Sequence, residues 1–516
     1  WESMSAAVGN DVGTTNVTAV LVDGDGVIQA STTRPLQNIA LGDSVTQDGG
    51  HLWEQVQTAL AFLTRAAPAT AASVGSIGVC SQYSSIVPVG PEGQPVGPMV
   101  LWQDRRGTTP SFAIMERHPD AFVRWVERHG IPPVGGGLAL GHLLVLEGAP
   151  DRSATKAYLE AMDYVVARLT GTIAATQHSM FMSQLCDNRT LGATAYDGEL
   201  LAMAAVDPER LPPLVPVGTT VGTLKPALAE RLGLPARSEV SAGTNDTSTD
   251  AVAAGALAAG RCGVAIGTTS VLVDTVEAMK VDLDHEILSM PGPFLDQYLV
   301  WAENGLGGRV VQQVLASLIQ TDDALGADGR ERPFALLDTA VAASAPGANG
   351  VLCLPWFHGS LAPQSDPSMR GGFLNVSLET TRTDLVRAAV EATAHNLRWL
   401  LPHVESFVEA PLIDAGFVGG AARSDQWCQI LADVVDRPVH RIAPPEQAVA
   451  RGAALLAWHH QGLLDRHELG ELVDHDRTFE PDPSLRRLYE HRHGQFEAAF
   501  DAVRPIVAEL ASTPKP

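Results

Sequence analysis

The strongest constraint on the fold is a short sequence that occurs twice, once in each half of the chain. Val12-Gly13-Thr14-Thr15-Asn16-Val17 is closely matched by Ile266-Gly267-Thr268-Thr269-Ser270-Val271. Each copy lies between two apolar runs, which is the pattern of two strands joined by a tight turn. Two unrelated hairpins that share three residues would also give this match. We favour two related lobes that face each other, because both turns would then offer backbone N–H and threonine hydroxyl groups to one polyphosphate.

The length and charge of the chain limit the classes of partner. Its 516 residues are too many for one hydrophobic core, so two or more domains are expected. The net charge of −24 argues against a nucleic-acid partner and against an anionic membrane surface, since both attract positively charged proteins. A nucleotide remains compatible with this charge, because it needs only backbone N–H groups or a local positive field.

The cysteines predict a reducing, cytoplasmic location. They are dispersed and odd in number, without the Cys-x-x-Cys spacing of a zinc site or the pairing of a disulfide framework: Cys80, Cys186, Cys262, Cys353 and Cys428. No signal peptide is visible, and no apolar run approaches the roughly 20 residues that cross a membrane. We therefore expect a cytoplasmic protein that has no membrane partner.

A carboxylate near the middle of the chain is the candidate catalytic residue. Asp246 lies in the polar stretch 243–250, between an apolar approach and a small-residue run, where a strand is expected to give way to a helix. A carboxylate at such an edge can accept a proton from a hydroxyl that attacks an electrophile. The alternative is that Asp246 caps the following helix through backbone N–H groups.

A second carboxylate, Asp11, precedes only the first of the two repeated turns. One acidic residue near a pair of phosphate-binding turns suits a single magnesium ion, because Mg²⁺ is usually held by one or two carboxylates together with phosphates and water. The same turns would contribute Gly13, Thr14 and Thr15 from the first copy and Gly267, Thr268 and Thr269 from the second.

The stretch from residue 412 to residue 435 has the pattern of a nucleotide site. An apolar strand at 412–418 leads into the turn Gly419-Gly420-Ala421-Ala422-Arg423-Ser424, and a helix follows from Asp425. The free N–H groups of such a helix start can bind a ligand. Small residues at this place also permit close packing of helix on strand, which is the alternative.

Two strand ends in the first half carry polar residues that suit a polyol. A buried strand at 75–81 ends in Gln82 and Tyr83, and a later one ends in Trp102-Gln103-Asp104-Arg105-Arg106. An indole ring covers C–H faces of a sugar, and charged groups bind its hydroxyls. A core tryptophan beside a surface ion pair is the alternative.

Helical periodicity locates several framework helices. The sequence predicts one from Tyr158 to Gly171 and one from Asp384 to Leu401 with Thr383 as its N-cap. A small-residue helix is predicted from Gln447 to Trp458, and a terminal helix or helical hairpin within 479–503.

Taken together, these motifs resemble the FGGY family of carbohydrate kinases, and the resemblance runs from Asp11 to about Phe500. It implies a two-lobed actin-like ATPase (ribonuclease H-like) fold of the α/β class, in which each lobe is a mixed sheet flanked by helices. The first lobe would span residues 4–256, with the sugar site, the first phosphate loop and the catalytic Asp at its end. The second lobe would span residues 257–516, with the second phosphate loop and the adenosine site.

The resemblance also implies roles for individual residues. Asp246 matches the general base, Asp11 matches the acid that helps to hold Mg–ATP in the interlobe cleft, and the two Gly-Thr-Thr turns match the phosphate loops. The adenosine side matches Gly419, Gly420, Ala421 and Ser424. The residues that fall where the family meets its sugar are Gln82, Tyr83, Trp102, Asp104, Arg105 and Asn245.

The sequence departs from the family pattern at several positions. Thr18 stands where the family often has Lys or Arg, so a cation near the transferred phosphate is missing. Tyr83-Ser84 replaces the Met-His pair of many xylulokinases, and His142 and Val145 replace a Lys and a Trp. These departures leave the sugar open.

The expected activity is ATP-dependent phosphorylation of a hydroxyl of a ketopentose such as xylulose, with Mg²⁺ and ATP as cofactors. The alternatives are another polyol or sugar (erythritol, glycerol, ribulose or gluconate) and a non-catalytic nucleotide-binding protein with the actin-like fold. Only Arg105 and Arg106 supply positive charge at the sugar side, which favours a neutral acceptor over an acid. A homodimer is compatible with the sequence, which does not determine the oligomeric state.

Overall fold

The computed structural model describes residues 5–150, 152–319, 336–473 and 475–512. The expected start of the first lobe at residue 4 and the expected end of the second at residue 516 therefore lie outside the described residues. The strands are β1 Ala7–Val12, β2 Asn16–Val22, β3 Ile28–Pro35, β4 Asn38–Leu41, β5 Ser44–Gln47, β6 Ser76–Ser81, β7 Ile86–Val89, β8 Met99–Val100, β9 Ala157–Glu160, β10 Ala175–Thr176, β11 Leu214–Val215, β12 Thr220–Thr223, β13 Glu239–Ser241, β14 Thr244–Asn245, β15 Arg261–Ile266, β16 Thr269–Val276, β17 Val281–Asp282, β18 Ile287–Pro291, β19 Tyr298–Leu306, β20 Leu352–Leu354, β21 Gly372–Leu374, β22 Asp414–Val418, β23 Val439–Ile442 and β24 His475–Phe479.

The α-helices surround these strands and include two long ones in the second half of the chain. They are α1 Gly49–Ala66, α2 Pro68–Ala71, α3 Thr108–Arg117, α4 Ala121–Arg128, α5 Ala139–Glu147, α6 Ala161–Thr170, α7 Gly198–Ala204, α8 Pro226–Leu232, α9 Asp246–Ala253, α10 Gly308–Val314, α11 Leu337–Ala342, α12 Arg382–Val408, α13 Asp425–Val435, α14 Ala448–His460, α15 Arg466–Glu471 and α16 Arg486–Ser512.

Two large sheets repeat one topology. In the first sheet the order is β12-β13-β6-β1-β2-β3, and β14 also pairs with β6. In the second sheet the order is β17-β18-β19-β16-β15-β22-β23-β24. Each contains an antiparallel meander of three strands (β1 to β3, and β15, β16 and β19), and its first strand pairs in parallel with the next strand of the sheet. The repeated Gly-Thr-Thr turns join the first two strands of each meander, so the sequence repeat reflects a repeated fold.

A helix from each lobe packs against the large sheet of the other lobe. Helix α14 lies so close to the first sheet that a Cβ on Gly9 would be 1.8 Å from the Ala450 carbonyl oxygen. In the same way, a Cβ on Gly416 in β22 would be 2.0 Å from the carbonyl oxygen of Ala254, which follows α9. Because real Cβ contacts are never that short, both positions require glycine. This exchange brings Asp246, the candidate catalytic residue at the start of α9, to the boundary between the sheets.

A smaller sheet and a helical region extend the first lobe. The order of the third sheet is β4-β5-β8-β7-β9, and α3, α4 and α5 pack beside it. A hydrophobic cluster continues from this region into the second sheet, where it includes Met290 and Leu299. The two halves of the chain therefore share apolar contacts in addition to the exchanged helices.

The structure corrects two expected helix boundaries. The predicted helix from Tyr158 is a buried strand, β9, followed by α6, which ends at Gly171 in the left-handed conformation. Four fully buried residues in β9 carry no polar alternation, so periodicity could not separate them from the helix. The N-cap of α12 is Thr381 instead of Thr383, since Thr381 and Asp384 form a capping box.

The other predicted helices lie close to their expected positions. Helix α14 extends two residues beyond the predicted end, and the terminal region contains one long helix, α16, instead of a hairpin. Among the described residues, no helix is long and apolar enough to cross a membrane.

Candidate active site

The first Gly-Thr-Thr turn is hydrogen-bonded to two of the predicted sugar residues. The Gly13 N–H donates to the Asn16 carbonyl at 2.9 Å and closes the turn between β1 and β2. The Thr14 hydroxyl accepts from the Trp102 indole N–H at 3.0 Å and donates to the Gln82 side-chain oxygen. Thr14 was predicted to contact a phosphate, whereas Gln82 and Trp102 were predicted to contact a sugar. Because the three side chains form one hydrogen-bonded network, a phosphate at the turn and a sugar on the indole would be close neighbours.

The second Gly-Thr-Thr turn lies against the start of α10. The Gly308 N–H donates to the Gly267 carbonyl at 2.8 Å, and the Gly307 N–H donates to the Thr268 carbonyl at 3.1 Å. Thr269 begins β16 and pairs with Leu306. These bonds fix the backbone of the turn, while its outer face stays open to a cleft.

That cleft has a volume of about 770 Å³ and joins the second turn to the predicted adenosine loop. It is lined on one side by Gly267, Thr268 and Arg309 and on the other by Gly420, Ala421 and Ser424. Gly419 has φ +87°, and a Cβ there would be 2.8 Å from the Ile266 carbonyl oxygen, so glycine permits the two loops to touch. The volume is in the range of ordinary ligand sites.

The Ser424 hydroxyl is used within the protein. It accepts from the Trp427 N–H at 3.0 Å as the N-cap of α13 and donates to the carboxylate of Asp338. Asp338 lines the same cleft, and no motif in the sequence indicated it. Nucleotide contact by Ser424 stays a prediction.

Asp246 is free of the capping role that was its alternative interpretation. The N-cap of α9 is Asn245, whose side-chain oxygen accepts from the Ser248 N–H at 2.7 Å. Among the described residues, Asp246 accepts from Thr247, through the backbone N–H at 2.8 Å and more weakly through the hydroxyl. Burial raises the pKa of Asp246 to about 6. The carboxylate is therefore poised near neutral pH, as a general base requires.

Two further carboxylates share this region with Asp246. Asp11 lies in β1, and burial, together with the charge of Asp246, raises its pKa to about 7. Asp250 lies one turn along α9 from Asp246, and burial followed by the charges of Asp246 and Asp11 raises its pKa well above the ordinary value. The spacing of Asp246 and Asp250 was visible in the sequence, but only the fold shows that both approach Asp11.

Magnesium fits this donor set. Burial and mutual repulsion destabilise the ionised form of neighbouring carboxylates, so a nearby divalent cation stabilises that form strongly. Mg²⁺ prefers oxygen ligands such as these. Among the described residues, no three His, Cys, Asp or Glu side chains are grouped to hold a metal on their own. A magnesium ion here would depend on phosphate oxygens and water for most of its ligands, so its affinity would depend on ATP.

At residue 18, where a basic side chain was expected, the protein has the small, buried hydroxyl side chain of Thr18. Thr18 is paired with Asp11 across β1 and β2, so the two side chains share a face. Its hydroxyl lies 3.3 Å from that of Thr33. In the described part of the cleft lining, the positive charges come from Arg309 and Arg423.

The predicted sugar residues fall into two groups. Gln82, Trp102 and Asn245 lie at the junction of the first turn and α9, and the side-chain N–H groups of Gln82 and Asn245 are buried without a partner in the described protein. Asp104, in contrast, accepts from the Arg106 guanidinium at 2.7 Å and from the Val45 N–H at 2.9 Å. Arg106, although burial opposes the effect, holds the pKa of Asp104 below its ordinary value.

Tyr83 and Arg105 complete the predicted set. The Tyr83 hydroxyl donates to the His178 carbonyl at 2.8 Å, so its polar end is already occupied. Arg105 is exposed, and its guanidinium lies beside Gly137, where a Cβ would be 2.5 Å from Nη1. Direct sugar contact by Asp104 and Tyr83 stays a prediction, and each would have to share a bond that it makes within the protein.

Comparison with known proteins agrees with this arrangement. The models of the N-terminal and C-terminal domains of the FGGY family of carbohydrate kinases match residues 6–253 and 234–460. The chain belongs to this FGGY family. It is therefore an ATP-dependent sugar phosphotransferase, and the family resemblance, the enzyme class and the two-lobed fold expected from the sequence are confirmed.

The relatives of this FGGY kinase include enzymes for more than one sugar. Xylulose kinase from Bacillus subtilis (strain 168) is 26% identical over 470 residues and covers 90% of both chains. Gluconokinase from the same organism is 24% identical over 473 residues and covers 89% of this chain and 88% of its own. The solved structure of ligand-bound xylulose kinase from Lactobacillus acidophilus superposes with a TM-score of 0.84 at 21% identity and covers 98% and 99% of the two chains.

A residue that the sequence did not reveal supports the turn after the predicted sugar residues Gln82 and Tyr83 in this FGGY kinase. Glu160, at the end of β9, is fully buried and accepts from the backbone N–H groups of Ser84 at 3.2 Å and Ser85 at 2.9 Å. Ser84 has φ +56°, which is rare for a residue with a side chain, so the carboxyl holds the turn that follows Gln82 and Tyr83. Its pKa is raised to about 8, chiefly by burial.

We expect Glu160→Gln to change how stability depends on pH. In the folded protein Glu160 keeps its proton up to about pH 8, whereas the unfolded chain releases it near the ordinary value of 4.5. Unfolding therefore becomes easier as pH rises through this window, by up to about 1.4 kcal/mol per pH unit. Thermal unfolding at pH 5.5 and 7.5 should show that wild type loses stability relative to Glu160→Gln as pH rises.

The exposed Glu54 provides the control for this experiment, since Glu54→Gln should follow wild type at both pH values. A constant difference between wild type and Glu160→Gln across this range would show that Glu160 is ionised in the folded protein.

Proposed function

We propose that this FGGY kinase transfers the γ-phosphate of ATP to a hydroxyl of a ketopentose such as xylulose. The observation that carries the proposal is the position of Asp246. A carboxylate with a raised pKa begins α9 at the boundary of the lobes, between residues of the first phosphate loop and residues suited to a sugar. Relatives named xylulose kinase, found both by sequence and by structure, support the choice of ketopentose.

In the proposed reaction, the ionised Asp246 accepts the proton of the attacking hydroxyl. The phosphates lie between the two Gly-Thr-Thr turns, whose backbone N–H and hydroxyl groups orient them, and the adenosine lies in the cleft beside Gly420 and Ala421. Asp11 would hold Mg²⁺, which supplies charge neutralisation for the transferred phosphoryl group. Positioning of ATP against the sugar hydroxyl accounts for most of the expected rate enhancement, because phosphoryl transfer requires little covalent chemistry from the protein.

The sugar site that we propose is neutral and hydrogen-bonding. The unpartnered amide N–H groups of Gln82 and Asn245 are suited to hydroxyl or carbonyl oxygens, and the Trp102 ring offers an apolar face. Of the two arginines nearby, Arg106 is paired with Asp104, so only Arg105 would be available to a substrate carboxylate. This distribution favours a ketose over a sugar acid.

Gluconate is the second candidate. It is favoured by the relative named gluconokinase and by the exposed Arg105, which a carboxylate could approach. A non-catalytic nucleotide switch is less compatible with the site, since it would have no use for a base beside a sugar pocket.

We also propose that the boundary between the two lobes lies between residues 256 and 257, in the short connection from α9 to β15.

The test is ADP release with Mg–ATP across a panel of acceptors: D-xylulose, L-xylulose, D-ribulose, L-ribulose, erythritol, glycerol, gluconate and a blank. One ketopentose should exceed the others in kcat/KM. A preference for gluconate would select the second candidate, and release that never exceeds the blank would contradict the kinase proposal for all of these acceptors.

Arg309 is expected to supply the cation that is missing at Thr18. It is exposed at the edge of the cleft beside Gly267 and Thr268, and in the described part of the chain its guanidinium donates to the Gln312 side-chain oxygen at 2.9 Å. Loss of one charge-assisted contact to a phosphate should raise the KM for ATP about tenfold in Arg309→Ala. The KM for the sugar should change little, as steady-state kinetics with each substrate varied in turn will show.

Arg423→Ala is the comparison variant, because Arg423 lines the same cleft on its adenosine side. It should raise the KM for ATP less than Arg309→Ala does. Equal effects of the two substitutions would contradict a specific phosphate contact by Arg309.

A further inference from the structure

His178 lies where the catalytic stretch, the sugar side and the second lobe meet. It follows β10 in the first lobe, is almost fully buried, and its ring makes contacts on both nitrogens. Nδ1 is 2.7 Å from the carbonyl oxygen of Pro291, the last residue of β18 in the second sheet. Nε2 is 3.3 Å from the backbone nitrogen of Asn245 and accepts its N–H. The ring therefore connects the residue before Asp246 to the opposite lobe.

The partners of the ring determine its tautomer. A carbonyl oxygen can only accept, so Nδ1 carries the hydrogen, and a backbone N–H can only donate, so Nε2 is bare. Ser248, whose hydroxyl is 3.4 Å from Nε2, can donate to the same nitrogen. A neutral ring with this tautomer is the form that satisfies the contacts on both sides at once.

The backbone of His178 is also part of the sugar side. Its carbonyl accepts the Tyr83 hydroxyl at 2.8 Å, and the Tyr83 ring meets the imidazole edge to face at 6.3 Å. A displacement of His178 would therefore move a residue of the predicted sugar site together with the start of α9.

The segment of the second lobe that His178 contacts is held from another side as well. His460, at the end of α14, places Nε2 3.1 Å from the Pro293 carbonyl oxygen. The stretch Pro291-Gly292-Pro293 is thus bonded to the first lobe by the buried His178 and to α14 by the half-buried His460. Proline at both ends restricts the backbone of this stretch, so it is a firm point of attachment.

We propose that His178 is a positioning residue for Asp246. By bonding Asn245 on one side and Pro291 on the other, it holds the start of α9 in register with the second lobe, which carries the ATP cleft. The base and the nucleotide would then keep one relative position when both substrates are bound. The kinetic part of this inference rests on the proposed kinase function, and the structural part does not.

Three substitutions distinguish the effect of the bond to Asn245 from the effect of the bond to Pro291. His178→Gln places an amide oxygen near the position of Nε2 and keeps the bond to Asn245. His178→Asn places an amide N–H near the position of Nδ1 and keeps the bond to Pro291. His178→Ala loses both. We expect kcat to fall about 30-fold or more in His178→Ala and nearly as much in His178→Asn, because small displacements of a reacting group cost large factors in rate.

His178→Gln should retain kcat within about fivefold of wild type, since the bond next to Asp246 survives. The KM for ATP should stay within about threefold in all three variants, because the groups that line the ATP cleft are unchanged, and the KM for the sugar should rise less than kcat falls. Equal kcat in the Gln, Asn and Ala variants, or an effect that appears only in KM, would overturn the positioning role.

His129 is the matched control. It is a buried neutral histidine of the same region, and it bonds the Phe181 carbonyl at 2.8 Å without contact to α9 in the described hydrogen bonds. His129→Ala, which removes a buried imidazole in the same way, should lower thermal stability as much as His178→Ala but leave kcat near wild type. A matching loss of kcat in His129→Ala would show that both residues act through general stability, and this outcome also overturns the proposal.

Hydrogen exchange tests the structural part without any activity. Peptides that contain residues 245–249 should exchange faster in His178→Ala than in wild type or His129→Ala, because the Asn245 N–H loses its acceptor. If wild type phosphorylates no acceptor but this exchange increases, the kinase function fails while the positioning of α9 stands. If wild type is active and exchange at 245–249 is unchanged, the positioning role fails while the kinase function stands.

Discussion

Asp246→Asn is expected to lower turnover by about 100-fold or more while ATP binding stays nearly intact, which is the usual scale for a positioned base. The amide has nearly the same shape and can still accept from the Thr247 N–H, so the start of α9 should not move. It cannot take a proton from the attacking hydroxyl. Steady-state ADP release, together with calorimetric titration of ATP, measures the two effects separately.

The pH dependence provides a second test of the same residue. A base with a pKa of about 6 is active only when ionised, so kcat/KM for the sugar should decline about tenfold per pH unit below pH 6 in wild type. The residual rate of Asp246→Asn should lack this decline. Asp25→Asn, at an exposed turn, is the control and should keep both the rate and the profile of wild type. Unchanged turnover in Asp246→Asn would remove this residue from the mechanism.

The second large effect is expected at the helix exchange between the lobes. In Gly9→Ala the new methyl would lie 1.8 Å from the Ala450 carbonyl oxygen, and backbone on both sides leaves no flexible atom that can move away. Helix α14 must shift from the first sheet, which should lower the free energy of unfolding by about 3 kcal/mol, the upper range for overpacked cores. Activity should fall as well, because Asp11 lies two residues further along β1.

Gly416→Ala is the symmetric variant, with its methyl 2.0 Å from the Ala254 carbonyl oxygen, and it should destabilise similarly. Gly494→Ala is the control, since it lies within α16 and a methyl there meets no atom within 4 Å. It should raise stability by up to about 1 kcal/mol through helix propensity. Thermal unfolding of the three variants distinguishes the outcomes, and a Gly9→Ala protein as stable as Gly494→Ala would contradict the described packing of α14.

The repeated turns made the architecture predictable from the sequence. A turn that joins two strands, found in both halves, predicted two similar sheets, and the structure contains them with the same meander of three strands. The position of Asp246 at the start of a helix was predictable for a related reason, since polar residues after an apolar run mark such an edge. What the sequence could not show is that Asn245, one residue earlier, is the helix cap.

The long-range contacts of the site were not predictable from spacing. Thr14, Gln82 and Trp102 are far apart in the chain, and their hydrogen bonds arise only when three strand ends meet. Glu160 and His178 lie in stretches with no recognisable motif, yet Glu160 accepts from the turn after Gln82 and Tyr83, and His178 accepts from Asn245 beside Asp246. Conversely, Asp104 belongs to a prominent motif, but its carboxylate is occupied by Arg106, a neighbour that the sequence could not orient.

The most direct measurement of the central claim is the identity of the phosphorylated product. Wild type, Mg–ATP and D-xylulose should be followed by ³¹P NMR, with Asp246→Asn run beside them. The account predicts a sugar phosphate monoester whose amount equals the ADP formed, and almost none from the variant in the same time. Inorganic phosphate as the main product, or equal product from wild type and Asp246→Asn, would contradict sugar phosphorylation with Asp246 as the base.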